Sequence, residues 1–204
     1  PSHQMLDKLR EYGASNKAAV IPTGLVLADF QQDPANDFRQ QHGIDEDTDI
    51  LLYVGRVAYE KNIEFLIDVY ERISERRPGV KLLIAGEGPA LLKLKARARA
   101  VGLEEDILFV GYLERKKGLV DCYQSSNLFV FASETETQGL VLLEAMACGL
   151  PVVSFDCDAG PREILAGGED GLLVPPEDTV ALAAALAGLM ADDERRRRMG
   201  KAAA

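Results

Sequence analysis

Six short apolar runs, almost free of charge, recur along this chain at residues 50–54, 80–85, 107–110, 128–132, 152–155 and 172–174. A stretch of helical character follows each of them, at 60–77, 90–100, 114–124, 139–148, 161–166 and 178–191. Strands read as continuous apolar runs when helices cover both faces of a sheet, and parallel neighbours need a long crossover between them. The alternation therefore predicts an α/β domain, a doubly wound parallel Rossmann-like sheet. In the first helical stretch Ile63, Leu66, Ile67, Tyr70 and Ile73 recur near the helical period, and Val69 widens that apolar face. With 204 residues, 47% of them hydrophobic, the chain can bury one substantial core. Ligands of such sheets bind beyond the carboxyl ends of the strands, so the loops after Val54, Ala85, Val110 and Ala132 are the ones to inspect.

Residues 1–29 fit this alternation poorly. Ser2 caps a predicted helix over 5–12 that Gly13 ends, and a strand-like stretch at 18–21 leads into the turn Pro22-Thr-Gly24. The start lacks an initiator methionine, so 1–29 reads as the remnant of a preceding N-terminal domain and its linker. Residues 30–191 form the domain proper, and 192–204 a terminal helix or tail whose arginines at 195–198 face solvent.

Charge and composition exclude several functions. A net charge of −10 argues against nucleic acid or an anionic membrane meeting the segment as a whole, so any phosphate site must be local. No apolar run is long enough to span a bilayer, and no secretory signal pattern opens the sequence. Cys122, Cys148 and Cys157 form no CxxC pair and read as small core fillers in a reducing, cytoplasmic setting. His3 and His42 fall outside the predicted rim and read as surface residues.

Four of the rim loops carry chemistry. Gly55-Arg56 and Lys61 follow the first strand, where a planar guanidinium and a mobile ammonium together would neutralise a diphosphate. The alternative is surface salt bridges, for instance with Glu60 and Glu64. Gly86-Glu-Gly-Pro89 makes a strand-to-helix turn, and Gly111-Tyr112-Leu113 offers backbone groups to a planar base or, equally, a packing aromatic. Glu136 and Glu144 flank the helix start Gln138-Gly139-Leu140, whose unpaired N–H groups and partial positive charge suit a phosphate or sugar oxygen. Were both glutamates on one helix, they would stand roughly 12 Å apart along its axis. A hydrolytic pair needs about 5–9.5 Å. Two separate contacts to one extended ligand fit better, such as a carboxylate on ribose hydroxyls. Asp156-Cys157-Asp158 also lies on the rim, but Arg56 and Lys61 already supply the positive charge a cation would bring, and no metal is expected.

Taken in order, Gly55-Arg56-xxx-Glu60-Lys61, Gly86-Glu-Gly-Pro89, Gly111-Tyr112 and Glu136-x7-Glu144, followed by Ala-Met-Ala-Cys-Gly-Leu-Pro-Val-Val, resemble the C-terminal domain of retaining glycosyltransferases of family 4 (glycosyltransferase group 1). The likeness runs over about 50–174, and Ile21-Pro-Thr-Gly24 resembles the segment that leads into that domain. It implies the C-terminal half of a two-domain glycosyltransferase B (GT-B) architecture. Such a domain holds a UDP- or GDP-sugar, for example UDP-glucose, whose hexose passes to a hydroxyl with retention of configuration and without a metal or other cofactor. The acceptor would be held mainly by the N-terminal domain, which would also make any membrane contact, so this segment alone would be inactive.

By the same resemblance Arg56 and Lys61 bind the diphosphate, Glu144 the ribose, and Gly111, Tyr112 and Leu113 the base. Gly55 and Gly86 form turns of the donor site, while Glu136 and the backbone of Thr137, Gln138, Gly139 and Leu140 face the transferred sugar and phosphate. Glu136, Arg56 and Lys61 are the implied catalytic residues. Gln138 stands where Phe is commoner, and the Thr-Glu-Thr-Gln-Gly form resembles enzymes acting on lipids such as diacylglycerol at the inner membrane face. Two other classes are weighed: a nucleotide-binding module without turnover, and an NAD-dependent oxidoreductase, which lacks its GxGxxG here.

Overall fold

Burial on both faces selects the strands. In the computed structural model, which describes residues 2–32, 37–114, 117–133, 136–157, 160–165 and 167–204, every residue of β1 (Ile50–Val54) is buried. The other strands are β2 (Lys81–Ala85), β3 (Ile107–Gly111), β4 (Leu128–Phe131), β5 (Val152–Phe155) and β6 (Gly171–Val174). They form one sheet of order β3-β2-β1-β4-β5-β6, and every ladder is parallel. β4 and β5 are buried along their whole length, whereas β3 and β6, at the two edges, are partly exposed. The predicted doubly wound sheet is thus the observed one.

The helices are α1 (His3–Glu11), α2 (Phe38–Gln41), α3 (Ile63–Ser74), α4 (Leu91–Ala100), α5 (Gly118–Gln124), α6 (Leu140–Ala147), α7 (Pro161–Ile164), α8 (Thr179–Met190) and α9 (Asp193–Ala203). Ser2 caps α1 by accepting the Met5 amide at 3.3 Å. The stretch expected to be helical from residue 60 differs. A 3-10 turn over Tyr59–Lys61 precedes α3, and Asn62 separates them at φ 53°, a left-handed conformation that Asn tolerates. That break sends Lys61 off the helix. The helix expected from 114 begins at Gly118, and ahead of it the Glu114 carboxylate accepts the Lys117 amide at 3.1 Å. Residues 115, 116 and 166, at the margins of the expected helices, lie outside the described residues. No strand forms over 18–21, where Ala18, Ala19 and Ile21 are exposed and offer no buried face to pair.

The C-terminal tail is a packed helix. Met199 is buried, and Arg196 departs from the expected solvent face: it donates to the carbonyls of Leu189 at 3.1 Å and Met190 at 2.6 Å and pairs with Asp193 and Asp49. Arg195, Arg197 and Arg198 are exposed, as expected. Cys122 and Cys157 are buried free thiols and Cys148 is half-buried. Burial, and then the neighbouring Glu144, push the Cys148 thiol up to about 12. Among the described residues no helix is long and apolar enough to cross a membrane.

The loops after β1 and β2 nest backbone to backbone. The Gly55 amide donates to the Ala85 carbonyl at 3.0 Å, the Val57 amide to the Glu87 carbonyl at 2.9 Å, and the Gly86 amide to the Gly111 carbonyl at 2.7 Å. Gly86, at φ 139°, leaves no room for a side chain, since a Cβ there would lie 1.9 Å from the Gly55 carbonyl oxygen. Gly86→Ala must therefore push the two loops apart. Such overpacking costs about 1–3 kcal/mol, so thermal unfolding of the variant is expected to show a midpoint lowered by about 2–4 °C per kcal/mol. An unchanged midpoint would mean that the loops are not nested in solution.

Candidate functional site

The sheet order reverses between β1 and β4, and the ladder there holds only at Leu51↔Leu128 and Leu52↔Phe129. Beyond it Tyr53, Val54 and the loops after both strands diverge, which is where a doubly wound sheet opens a crevice. Two cavities lie at the carboxyl ends of the strands and share Val54, Gly55 and Arg56 as a common wall, the first in that crevice and the second beside it, among the loops after β1, β2 and β3. The first, of about 290 Å³, gathers Lys61, Glu136, Thr137, Gln138, Gly139 and Leu140, with Thr23 closing one side. The second, of about 320 Å³, is lined chiefly by apolar and glycine residues, among them Gly86, Tyr112, Leu113 and Leu119. Each is near the lower limit for a small-ligand site. One extended ligand with two chemically different ends fits the pair better than two separate ligands do.

In the first cavity Lys61 Nζ donates to Glu136 Oε1 at 2.6 Å, with only 20% and 13% of the two side chains exposed. Lys61 is therefore not bonded to Glu64, which pairs with Lys93 instead. Arg56 stands 3.8 Å from Glu60, both side chains largely exposed, so that contact is weak and leaves the guanidinium at the mouth. Tyr53, fully buried, donates its hydroxyl to the Arg56 carbonyl at 3.2 Å and so fixes the loop from beneath. Burial and the carboxylates of Glu136 and Glu60 raise the Tyr53 phenol well above its ordinary range, keeping it a donor. No side chain caps α6, and its first residues, Leu140 and Val141, line the same cavity. The partial positive charge of a helix start is thus presented to the cavity alongside Lys61.

The two glutamates occupy different surroundings. Glu136 lies in the loop before α6 and lines the cavity. Glu144 lies within α6, 3% exposed, and accepts the Tyr123 hydroxyl at 3.1 Å. It lines neither cavity, and neither does Gly111, whose carbonyl serves the Gly86 amide. Burial and Glu144 raise the Tyr123 phenol far above its usual range. Tyr112 is 73% exposed at the rim of the second cavity and so is no packing aromatic.

The remaining rim candidates stand apart. Arg162 pairs with Asp156 at 2.7 Å and holds its carboxyl below the usual range, while Asp158 lies outside the described residues, as do Glu134 and Thr135 of the glutamate motif. His3 is exposed, and His42 packs on the Phe38 ring at 4.5 Å between centroids. Among the described residues no three His, Cys, Asp or Glu converge on one point. Sequence reasoning missed Tyr53, Phe131 and Gly160. Gly160, at φ 84°, is required because a Cβ there would lie 2.9 Å from the Gln138 carbonyl oxygen. A tyrosine near the end of a buried strand, two residues before Gly55, was an available signal. Thr23 was visible in Ile21-Pro-Thr-Gly24, but as linker rather than as cavity wall.

Comparison with known proteins shows the family. The family described as "Glycosyl transferases group 1" matches residues 34–204. Over 159 residues the chain is 33% identical to alpha-monoglucosyldiacylglycerol synthase of Streptococcus pneumoniae, covering 76% of this chain and 36% of that protein. It is 32% identical over 208 residues to D-inositol 3-phosphate glycosyltransferase of Xylanimonas cellulosilytica, covering 97% of this chain and 49% of that one. Among solved structures, sucrose-phosphate synthase from Thermosynechococcus elongatus superposes with a TM-score of 0.86 at 33% identity, covering 99% of this chain and 51% of that chain. The chain thus spans from about a third to about half of the length of these relatives.

The Lys61–Glu136 pair is shielded enough for its coupling to be measurable. A double-mutant cycle on unfolding with Lys61→Met and Glu136→Gln is expected to give a coupling free energy of about 0.5–3 kcal/mol. A value indistinguishable from zero would mean that the pair does not form in solution.

Proposed function

The chain belongs to the group 1 glycosyl transferases, and we propose that it is the donor-binding domain of a retaining hexosyltransferase that uses a nucleotide diphosphate sugar. The observation that carries this reading is the two-part crevice, in which a charged cavity with a helix start adjoins an apolar one with an exposed aromatic. A sugar diphosphate suits the first and a nucleoside the second. Arg56, Lys61 and the α6 start compensate the diphosphate, and Tyr112 with Leu113 receives the base, a planar group suited to an exposed ring. Glu144 is the candidate for the ribose hydroxyls.

The chemistry follows from charge already in place. As the bond from the anomeric carbon to the diphosphate oxygen breaks, negative charge builds on the diphosphate beside Arg56, Lys61 and the helix start, which need no reorganisation. The acceptor hydroxyl attacks the anomeric carbon from the face the diphosphate leaves, and its proton passes to the departing oxygen. Glu136 stands at the sugar and orients Lys61 by the bond they already share. With three donors, the ammonium can hold Glu136 and a phosphate oxygen together. Positive side chains supply what a divalent cation would, so the transfer is proposed to be metal-independent.

For the donor, UDP-glucose is the first choice, and for the acceptor a lipid such as diacylglycerol. The Thr-Glu-Thr-Gln-Gly form and the name of the pneumococcal relative support this. The acceptor would be held by the part of the protein that lies outside this chain.

Thermal shift and calorimetry on this chain with UDP, GDP, ADP and their sugars, with and without a chelator, test the donor site. One of these at about 100 times its dissociation constant is expected to add about 2.7 kcal/mol of stability, and chelation to change nothing. Arg56→Ala and Lys61→Ala should each weaken binding by about 10- to 100-fold, as loss of a charge-assisted hydrogen bond does. Stabilisation by none of the nucleotides would refute the reading.

In the full-length protein, UDP-glucose with diacylglycerol vesicles is expected to yield a glucosyl lipid, and Glu136→Ala to lower kcat by about 100-fold or more. Product formed only on soluble acceptors would remove the lipid assignment alone.

A further inference from the structure

Gln138 directs its side chain at the chain's own N-terminal segment. Its Oε1 accepts the Thr23 amide at 2.8 Å and its Nε2 donates to the Thr23 carbonyl at 2.6 Å, across 115 positions of sequence. A carboxamide has one acceptor and one donor side, and here both engage a single residue's backbone as a neighbouring strand would. Pro22 fixes the backbone just before the bonded residue. The segment is anchored a second time at Phe30, 5% exposed against Val120 and Ala147, with Gln124 Nε2 donating to the Gln32 carbonyl at 2.7 Å. Thr23 is thereby held as part of the wall of the first cavity, which Lys61 and Glu136 also line.

On its other side the Gln138 backbone rests against Gly160, which has no Cβ to push it away. The loop of Glu136 and Gln138 is thus held between α7 and the linker.

We propose that Gln138 is a positioning residue, a latch that holds the linker across the sugar end of the crevice and ties the linker's position to the loop carrying Glu136. Thr23 becomes part of the sugar site only while the latch is closed. The latch rests on hydrogen bonds alone. Its effect on a sugar rests on the donor-site reading above, and the two are separable by experiment.

Three variants divide bulk from bonding. Gln138→Met keeps length without hydrogen bonds, Gln138→Glu keeps acceptance from the Thr23 amide but sets a carboxylate against its carbonyl, and Gln138→Ala removes everything. Water exchange of the Thr23 amide, followed by NMR on this chain, is expected to speed up about 3- to 10-fold in Gln138→Met and Gln138→Ala, and less in Gln138→Glu. Calorimetry with UDP-glucose and with UDP is expected to show a several-fold greater loss for the sugar nucleotide than for UDP in the same variants. Thr23 exchange unaltered in Gln138→Met and Gln138→Ala overturns the latch. Equal losses for UDP and UDP-glucose overturn Thr23 as a sugar wall. Should the unsubstituted chain bind neither nucleotide, the donor-site reading fails while the exchange result still decides the latch.

Discussion

The site exists because the chain leaves β1 in one direction and returns to its other side from the opposite one. β2 and β3 build outward on one flank, then β4, β5 and β6 on the other, so the loops after β1 and β4 turn away from each other. Strands buried on both faces cannot fill the gap between those loops without bringing backbone polar groups into it. What lines the gap is therefore backbone amides, a helix start and the few side chains that diverge with the loops. The charged cavity follows from this reversal, and the apolar one, among the loops after β1, β2 and β3, adjoins it through the shared Gly55–Arg56 wall.

Rigidity at the crevice comes from backbone packed on backbone. Gly86 lets the loop after β2 lie on the carbonyl of Gly55, and Gly160 lets the loop before α6 lie against α7. The Tyr53 hydroxyl ties the same floor to the Arg56 carbonyl. This rigidity matters for the diphosphate proposed as ligand, since a chain of net charge −10 repels an anion at long range. The compensating cations must be local and already placed. Lys61 is stationed by Glu136 at the point where α3 fails to begin. The carboxylate that neutralises it in the open site also keeps it from wandering into solvent.

The architecture was legible because buried parallel strands leave a compositional trace, and the observed strand bounds fall within about a residue of the apolar runs. Boundaries failed where a single side chain overrules a local pattern. Asn62 interrupts an otherwise helical stretch by adopting a left-handed conformation, and the Lys117 amide, just before α5, goes to the Glu114 carboxylate. The strand expected over 18–21 did not form because short apolar stretches carry no information about a partner. Within the site, loop cations and helix starts were readable from spacing. The Lys61–Glu136 and Gln138–Thr23 bonds were not, since each joins positions far apart in sequence, 75 and 115 residues. Arg196 was misjudged for a related reason: a run of arginines looks uniform, yet the helix turns one of them into the carbonyls that end α8.

Glu144 shows how one motif can divide between structure and ligand. Helical side chains lean toward the N-terminus, which carries its carboxylate back along α6 to meet the Tyr123 hydroxyl on α5. That bond joins α5, which contributes Leu119 to the apolar wall, to α6, which contributes Leu140 and Val141 to the charged one. A buried carboxylate is tolerated there only because donors meet it, and the phenol, raised far above neutral pH, stays a donor throughout. If Glu144 receives a ribose, as proposed above, the Tyr123 hydroxyl orients that carboxylate, so the bond that holds α5 against α6 also fixes how the carboxylate is presented.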